Sequence, residues 1–192
     1  ILFNGVLGDP CAAPNFIDVC EIFRKRNPNL IISVSTNGGL RTKEFWKRLA
    51  EVLGDKGRVV FALDGLKDTN HIYRVNVDFD KVIANATTFI KNGGNAEWQF
   101  ISFKHNQHQV DEARELSKQL GFKQFFVKPS YRFVLEEMAG GPRYSGNIKL
   151  EPPTDNAHPI TFIPKFTLDE WRKSSNNSTI SCYAQNTQSI YI

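Results

Sequence analysis

The chain is 192 residues long, 41% hydrophobic and 23% charged, which places it among ordinary globular domains and excludes disordered and fibrous classes. No apolar run approaches the roughly 20 residues that a bilayer-spanning helix needs, and the opening Ile-Leu-Phe-Asn-Gly has neither a basic flank nor a small-residue cleavage site, so a cytoplasmic protein is expected. The net charge of +4 is spread over stretches such as Arg24 to Arg26 and Lys43 to Arg48 instead of gathered into an arm, and it calls for neither a nucleic-acid nor a membrane partner.

From the start, short apolar runs of strand length alternate with longer runs of helical period. Ile1 to Asn4 is the first strand candidate and Phe16 to Arg24 the first helix. Leu30 to Ser35 follows as a strand, and Phe45, Leu49, Val52 and Leu53 then form one buried helical stripe. Arg58 to Leu63 is the third strand. Phe79, Val82, Ile83, Ala86, Phe89 and Ile90 make the next stripe, opened by Asp78 or Asp80 as a cap and closed by Gly93-Gly94. Glu97 to Phe103, a helix from about Gln109 to Leu120 with Gly121 after it, and Gln124 to Lys128 complete the series. The strand starts recur at about the 30-residue interval of βαβ units. Near-continuous apolar runs suit a parallel sheet covered on both faces, and the spacing fits a (β/α) barrel and a doubly wound open sheet equally.

After Pro129 the pattern dissolves into Gly140-Gly-Pro, Pro152-Pro, His158-Pro and Ser174-Ser-Asn-Asn, with one short helical stretch around Leu168 to Arg172, and reads as a connector. Ile1 opens inside an apolar run and Ser189 to Ile192 stops inside another, so the chain is expected to be an internal piece of a longer protein. Cys11, Cys20 and Cys182 are an odd, scattered set that argues against a disulfide framework and for a reducing compartment. Asn85-Ala-Thr then reads as surface sequence.

In parallel β/α folds the ligand site lies at the carboxyl ends of the strands, and here those segments are polar and glycine-bearing. The first strand runs into Gly8-Asp9-Pro10, the second into Ser35-Thr36-Asn37-Gly38-Gly39, the third into Asp64-Gly65, the fourth through Gln99 into Lys104-His105-Asn106, and the fifth into Lys128-Pro129-Ser130. Each loop alone is as well read as a turn capping the next helix, but four converge on one edge. Gly8 and Gly38-Gly39 allow close backbone approach to a ligand. Asp64 and Arg74 could flank one polar ligand or form a surface ion pair. His71, His105 and His108 lack the His-x-x-x-His spacing or carboxylate partners of a metal site. No Gly-x-Ser-x-Gly elbow, phosphate loop or dinucleotide fingerprint occurs.

Gly8-Asp9-Pro10, Ser35-Thr36-Asn37-Gly38-Gly39, Phe61-Ala-Leu-Asp64-Gly65 with Asp68-Thr-Asn-His-Ile-Tyr-Arg74, and Gln99-Phe-Ile-Ser-Phe-Lys-His-Asn106 resemble, in order, successive strand ends of radical S-adenosylmethionine enzymes, in particular those with a SPASM-type C-terminal extension. The resemblance implies a partial (β/α) barrel over residues 1–130, a connector over 131–180 and the start of a SPASM-like extension over 181–192. It implies that carbonyls of Gly8, Asp9 and Pro10 hold the methionine amino group, that Ser35 and Asn37 reach the methionyl or ribose part, that Asp64 and Arg74 serve the next strand end with Arg74 on the ligand carboxylate, and that Gln99 and Val127 line the ribose and adenine walls.

The family's Cys-x-x-x-Cys-x-x-Cys loop, whose three thiolates hold a 4Fe-4S cluster, is absent from this sequence. The resemblance implies that it precedes Ile1, and that Cys182 is a ligand of an auxiliary iron-sulfur cluster; a buried inert cysteine is the plain alternative for Cys182, and packing the reading for Cys11 and Cys20. The implied activity is reductive cleavage of S-adenosylmethionine to a 5′-deoxyadenosyl radical that abstracts hydrogen from a peptide or other substrate, with an electron donor such as flavodoxin or ferredoxin. Alternatives are a cluster-less nucleoside-binding barrel, and a lyase or aldolase using Lys104 or Lys128 as a Schiff-base amine.

Overall fold

A computed structural model describes residues 1–5, 8–128, 130, 133, 144–145 and 147–154. Five strands, β1 (Leu2–Phe3), β2 (Ile32–Thr36), β3 (Gly57–Ala62), β4 (Ala96–Ile101) and β5 (Gln124–Lys128), form one parallel sheet in the order β1-β2-β3-β4-β5. Between them lie α1 (Phe16–Arg26), α2 (Lys43–Leu53), the short α3 (Asn70–Tyr73), α4 (Phe79–Lys91) and α5 (Val110–Leu120). Strand order follows chain order without the reversal that defines a doubly wound sheet, so right-handed crossovers place every helix on the same face. The result is an α/β fold with the architecture of a partial (β/α) barrel.

The helical face holds the core. Ile32 and Val34 of β2, Val59 and Phe61 of β3, and Trp98 and Phe100 of β4 pack with Phe16 and Cys20 of α1, Leu49 of α2 and Val82 of α4. Trp46, Phe61 and Phe89 meet ring to ring, with centroids 5.2 Å and 6.4 Å from Trp46. The indole N–H groups of Trp46 and Trp98 donate to the Leu40 and Leu63 carbonyls, so neither ring is buried with an idle donor. Asp78 caps α4 through a bond from the Lys81 amide, and Gly121 closes α5 in the left-handed conformation, φ 86°, as the sequence leads one to expect.

Among the described residues the helices cover one face of the sheet, and the other, expected to be apolar, is polar. The residues between the helix-facing ones, including Ser33, Ser35, Arg58, Ala62, Glu97 and Gln99, line an open cavity on the concave side. Period-2 alternation is therefore present inside runs that read as continuously apolar, because Val60 and Phe126 sit among the polar positions of the concave wall. Asn85 is also not surface sequence: it is buried on α4, and its Nδ2 donates to the carbonyls of Gly38 and Leu40, fastening the loop after β2.

Within the expected connector the described residues are not featureless. Tyr144–Ser145 (β6) pairs antiparallel with Ile148–Lys149 (β7), Leu150 is buried, and the following segment returns to the loop after β4 through Lys104 to Glu151 and Gln107 to Thr154. Cys182 and the expected SPASM-like start lie outside the described residues. Among the described residues no helix is long and apolar enough to cross a membrane.

Candidate functional site

The concave wall and the loops above it enclose a cavity of about 610 Å³, within the range of small-molecule sites. Six of the sequence-derived candidates line it: Gly8, Asp9, Ser35, Asn37, Arg74 and Gln99. Loops after β1, β2 and β3 thus meet the side of β4 at the carboxyl ends of the strands, where the topology directs ligands.

Asp9 joins the first two loops. Its Oδ1 accepts from the Cys11 amide at 2.9 Å, both carboxylate oxygens accept from the Thr36 hydroxyl at 2.9 and 2.8 Å, and Oδ2 accepts from the Asn37 amide at 2.8 Å. The side chain is therefore occupied with structure. The backbone carbonyls of Asp9 and Pro10 accept from Ala12 and Ala13 in a short 3-10 turn, each oxygen retaining a second lone pair. Pro10 begins that turn and does not line the cavity. Gly8 does: a Cβ built there would meet nothing within 4 Å, so the missing side chain leaves open space at the cavity mouth.

The loop after β2 is held in a fixed shape. Gly38 donates to the Thr36 hydroxyl at 3.0 Å and Gly39 to Asn37 Oδ1 at 2.9 Å. Gly38 has φ 71°, and a Cβ there would lie 2.7 Å from a Phe61 ring carbon and 2.9 Å from Val82, so only glycine fits both the turn and the core beneath it. Arg41 secures the same loop by donating to the carbonyls of Cys11, Ala12 and Ala13.

Asp64 corrects the expectation that carboxylate and guanidinium flank a ligand together. Its carboxylate is fully buried and lies behind the cavity wall, accepting from Arg74 Nε at 2.6 Å and from the Ile101 amide at 2.6 Å. Burial raises its pKa, against the pull of the Arg74 charge and the Ile101 N–H. Arg74 alone of the pair lines the cavity, aimed by Asp64 and laid over the Tyr73 ring at 5.0 Å.

Val127 is corrected too. On β5 it is Gln124, Phe126 and Lys128 that face the cavity, whereas Val127 packs against the helix-side core; Phe126 is the neighbour of Gln99 across the ladder. A shift of one position reverses the face of every strand residue.

Several residues that position the site went unrecognised in the sequence. Asn106 donates from Nδ2 to the carbonyls of Asp64 and Ile101 and accepts from the Phe103 amide. Asn70 Oδ1 accepts from the Asp64 amide, and Gln109 accepts from the Leu66 amide and the Thr69 hydroxyl. Asn70 and Asn106 fall within the quoted motifs, so a signal existed, but amides in polar loops read as turn formers.

The described residues do not fit an iron-sulfur cluster. Cys11 and Cys20 are wholly buried, and burial pushes both thiols up to about 12, the Asp9 carboxylate adding to it at Cys11. No group of three or more His, Cys, Asp or Glu able to hold a metal ion occurs among the described residues. His105 stacks on Phe103 at 5.3 Å with its Nε2 buried and unpartnered, and burial, then repulsion from His108 and His71, lowers its pKa. Lys104 pairs with Glu151 at 2.8 Å and does not line the cavity, whereas Lys128 does.

No family model and no curated protein matches the sequence. Among solved structures, the chain resembles Streptococcus suis SuiB bound to S-adenosylmethionine, with a TM-score of 0.54 and 16% identity over 96% of this chain and 36% of that one. It also resembles SuiB bound to its precursor peptide SuiA, with a TM-score of 0.52 and 21% identity over 65% of this chain and 28% of that one. The chain thus spans 28% to 36% of the length of these two structures. At these identities what is shared is the fold: the parallel sheet and its helices are those of a protein solved with S-adenosylmethionine.

Proposed function

We propose that the cavity binds S-adenosylmethionine and that the whole protein is a radical S-adenosylmethionine enzyme acting on a peptide or other substrate. The observation that carries this is the meeting of Gly8, Ser35, Asn37, Arg74 and Gln99 in one cavity at the carboxyl ends of parallel strands. Its support is the order of the strand-end motifs and the shared fold with SuiB, solved with that molecule and with a peptide.

The residues fit the ligand in kind. Arg74 supplies charge-assisted donors for a carboxylate, held in place by buried Asp64. Gly8 leaves room for the methionyl end, with the backbone of Gly8 and Asp9 beside its ammonium. Ser35, Asn37 and Gln99 supply donors and acceptors for the ribose, and Phe126 an apolar wall beside Gln99 for the adenine. When reductively cleaved, S-adenosylmethionine supplies a 5′-deoxyadenosyl radical for hydrogen abstraction; this chain's residues bind, orient and enclose it. The described cysteines do not fit a cluster; a second reading is a barrel that only binds a nucleoside.

The two readings part in one experiment. The full-length protein, reconstituted anaerobically with iron and sulfide and then reduced, is expected to release 5′-deoxyadenosine from S-adenosylmethionine. Binding without release, in a protein that takes up no iron, would leave the nucleoside-binding barrel as the better account.

A further inference from the structure

The concave wall is polar toward the amino ends of the strands as well, the floor of the cavity away from the contacts proposed above: Ser33, Arg58 and Glu97 are the second residues of β2, β3 and β4, and Gln124 is the first of β5. Arg58 Nε donates to Ser33 Oγ at 3.0 Å, and Arg58 Nη1 donates to Glu97 Oε1 at 3.2 Å. Ser33 lies opposite Arg58 in the ladder and Glu97 opposite Gln124, so the four side chains cross β2, β3, β4 and β5 in adjoining rows. All four line the cavity, the Glu97 side chain only 7% exposed and that of Arg58 47%.

Interior positions of a barrel are ordinarily filled by branched apolar side chains. Here Glu97 has given up most of its hydration, its side chain being nearly buried, while half-exposed Arg58 keeps much of its own, so the carboxylate is the member of the pair that needs polar partners. The hydrogen bonding of the pair is incomplete: among the described residues neither Arg58 Nη2 nor Glu97 Oε2 has a partner. Donors on one side and an acceptor on the other face the same space, with Gln124 adding both. The two charges offset each other, so a carboxylate entering here meets Glu97 and an ammonium meets Arg58. A neutral group with an acceptor and a donor on neighbouring atoms meets a complement for each.

We infer that Ser33, Arg58, Glu97 and Gln124 form a subsite for an amide group of the substrate, a peptide bond or a carboxamide. This rests on the cavity being the reaction chamber, and it adds a location and a recognition chemistry to that reading.

The test is a nuclear magnetic resonance titration of the 192-residue chain, without S-adenosylmethionine, using N-acetylglycine N-methylamide, acetate and methylammonium as probes. The amide is expected to shift the Gln124 side-chain and Arg58 Nε signals saturably, while the two charged probes leave them in place. The variant R58M/E97M, which keeps side-chain volume, weakens the amide by about tenfold or more. Glu97→Gln leaves Arg58 unopposed and turns the preference toward acetate. Equal shifts from all three probes, amide binding that survives R58M/E97M, or no saturable amide binding overturns the inference. The same samples titrated with S-adenosylmethionine separate the two claims: cofactor binding without amide binding sinks the subsite alone, and the reverse sinks the cofactor site alone.

Discussion

Replacing Arg74 by methionine strips the buried Asp64 carboxylate of its counter-ion while keeping a side chain of similar length. Asp64 has no exposure, and among the described residues only the Ile101 amide remains to hold the charge. Breaking such a pair costs about 3 to 5 kcal/mol. An upper limit follows from the alternative of taking up a proton: lifting a carboxyl from its ordinary pKa of about 3.9 to neutrality at pH 7 costs about 4 kcal/mol. For a chain of this size that corresponds to a fall in Tm of roughly 8 to 16 °C. The limit moves with pH, because Asp64 in the variant has a folded pKa raised above its unfolded one. Such a group weakens the fold as pH rises, so at pH 5 the deficit shrinks to about 1.5 kcal/mol. Adding Asp64→Asn removes the charge and leaves an oxygen for the Ile101 amide, so R74M/D64N recovers about 2 kcal/mol at pH 7. Ligand binding behaves oppositely: both variants lack the guanidinium and both lose S-adenosylmethionine. Denaturation curves for the two variants at pH 5 and pH 7 check this, and a loss under about 1 kcal/mol for R74M, or no recovery in R74M/D64N, refutes the assignment of Asp64 as the residue that aims Arg74.

Gly8→Val is expected to leave stability within about 0.5 kcal/mol, since a Cβ there meets nothing within 4 Å, while S-adenosylmethionine binding by calorimetry weakens by about tenfold or more. His105→Phe keeps the stacking on Phe103 and removes the unpartnered Nε2, so Tm rises at pH 7. The wild-type pKa is lowered by burial, so stability falls as pH drops from about 6.5 toward 5, and the variant flattens that slope. Cys11 and Cys20, with thiols near 12, should react with iodoacetamide at pH 8 about a thousandfold slower than free cysteine, as mass spectrometry would show; rapid labelling of the native chain would contradict their burial.

The sequence carried the elements well because β/α units announce themselves locally. Gln124 to Lys128 is a strand with the bounds read from its residues, and the stripe from Phe79 to Ile90 is the buried face of α4. Choosing barrel over open sheet needed the strand order, a non-local property that spacing does not encode. The concave face was hidden because Val60 and Phe126 interrupt its polar alternation, and the same ambiguity put Val127 where Phe126 stands. The role of Asp64 was invisible for a related reason: a strand-end carboxylate looks the same in sequence whether it faces a ligand or is buried behind the guanidinium that does. Asn70, Asn106 and Gln109 act through bonds to backbone groups up to 43 residues away, which no short motif reveals.

The most direct test of the central claim is a titration of the 192-residue chain with S-adenosylmethionine, followed residue by residue by nuclear magnetic resonance. Saturable shifts at Gly8, Asn37, Arg74, Gln99 and Phe126, absent in R74M/D64N, are the predicted result. A chain that is folded but shows no saturable shift at these positions, or shows shifts confined to the helical face, would contradict the assignment of this cavity as the cofactor site.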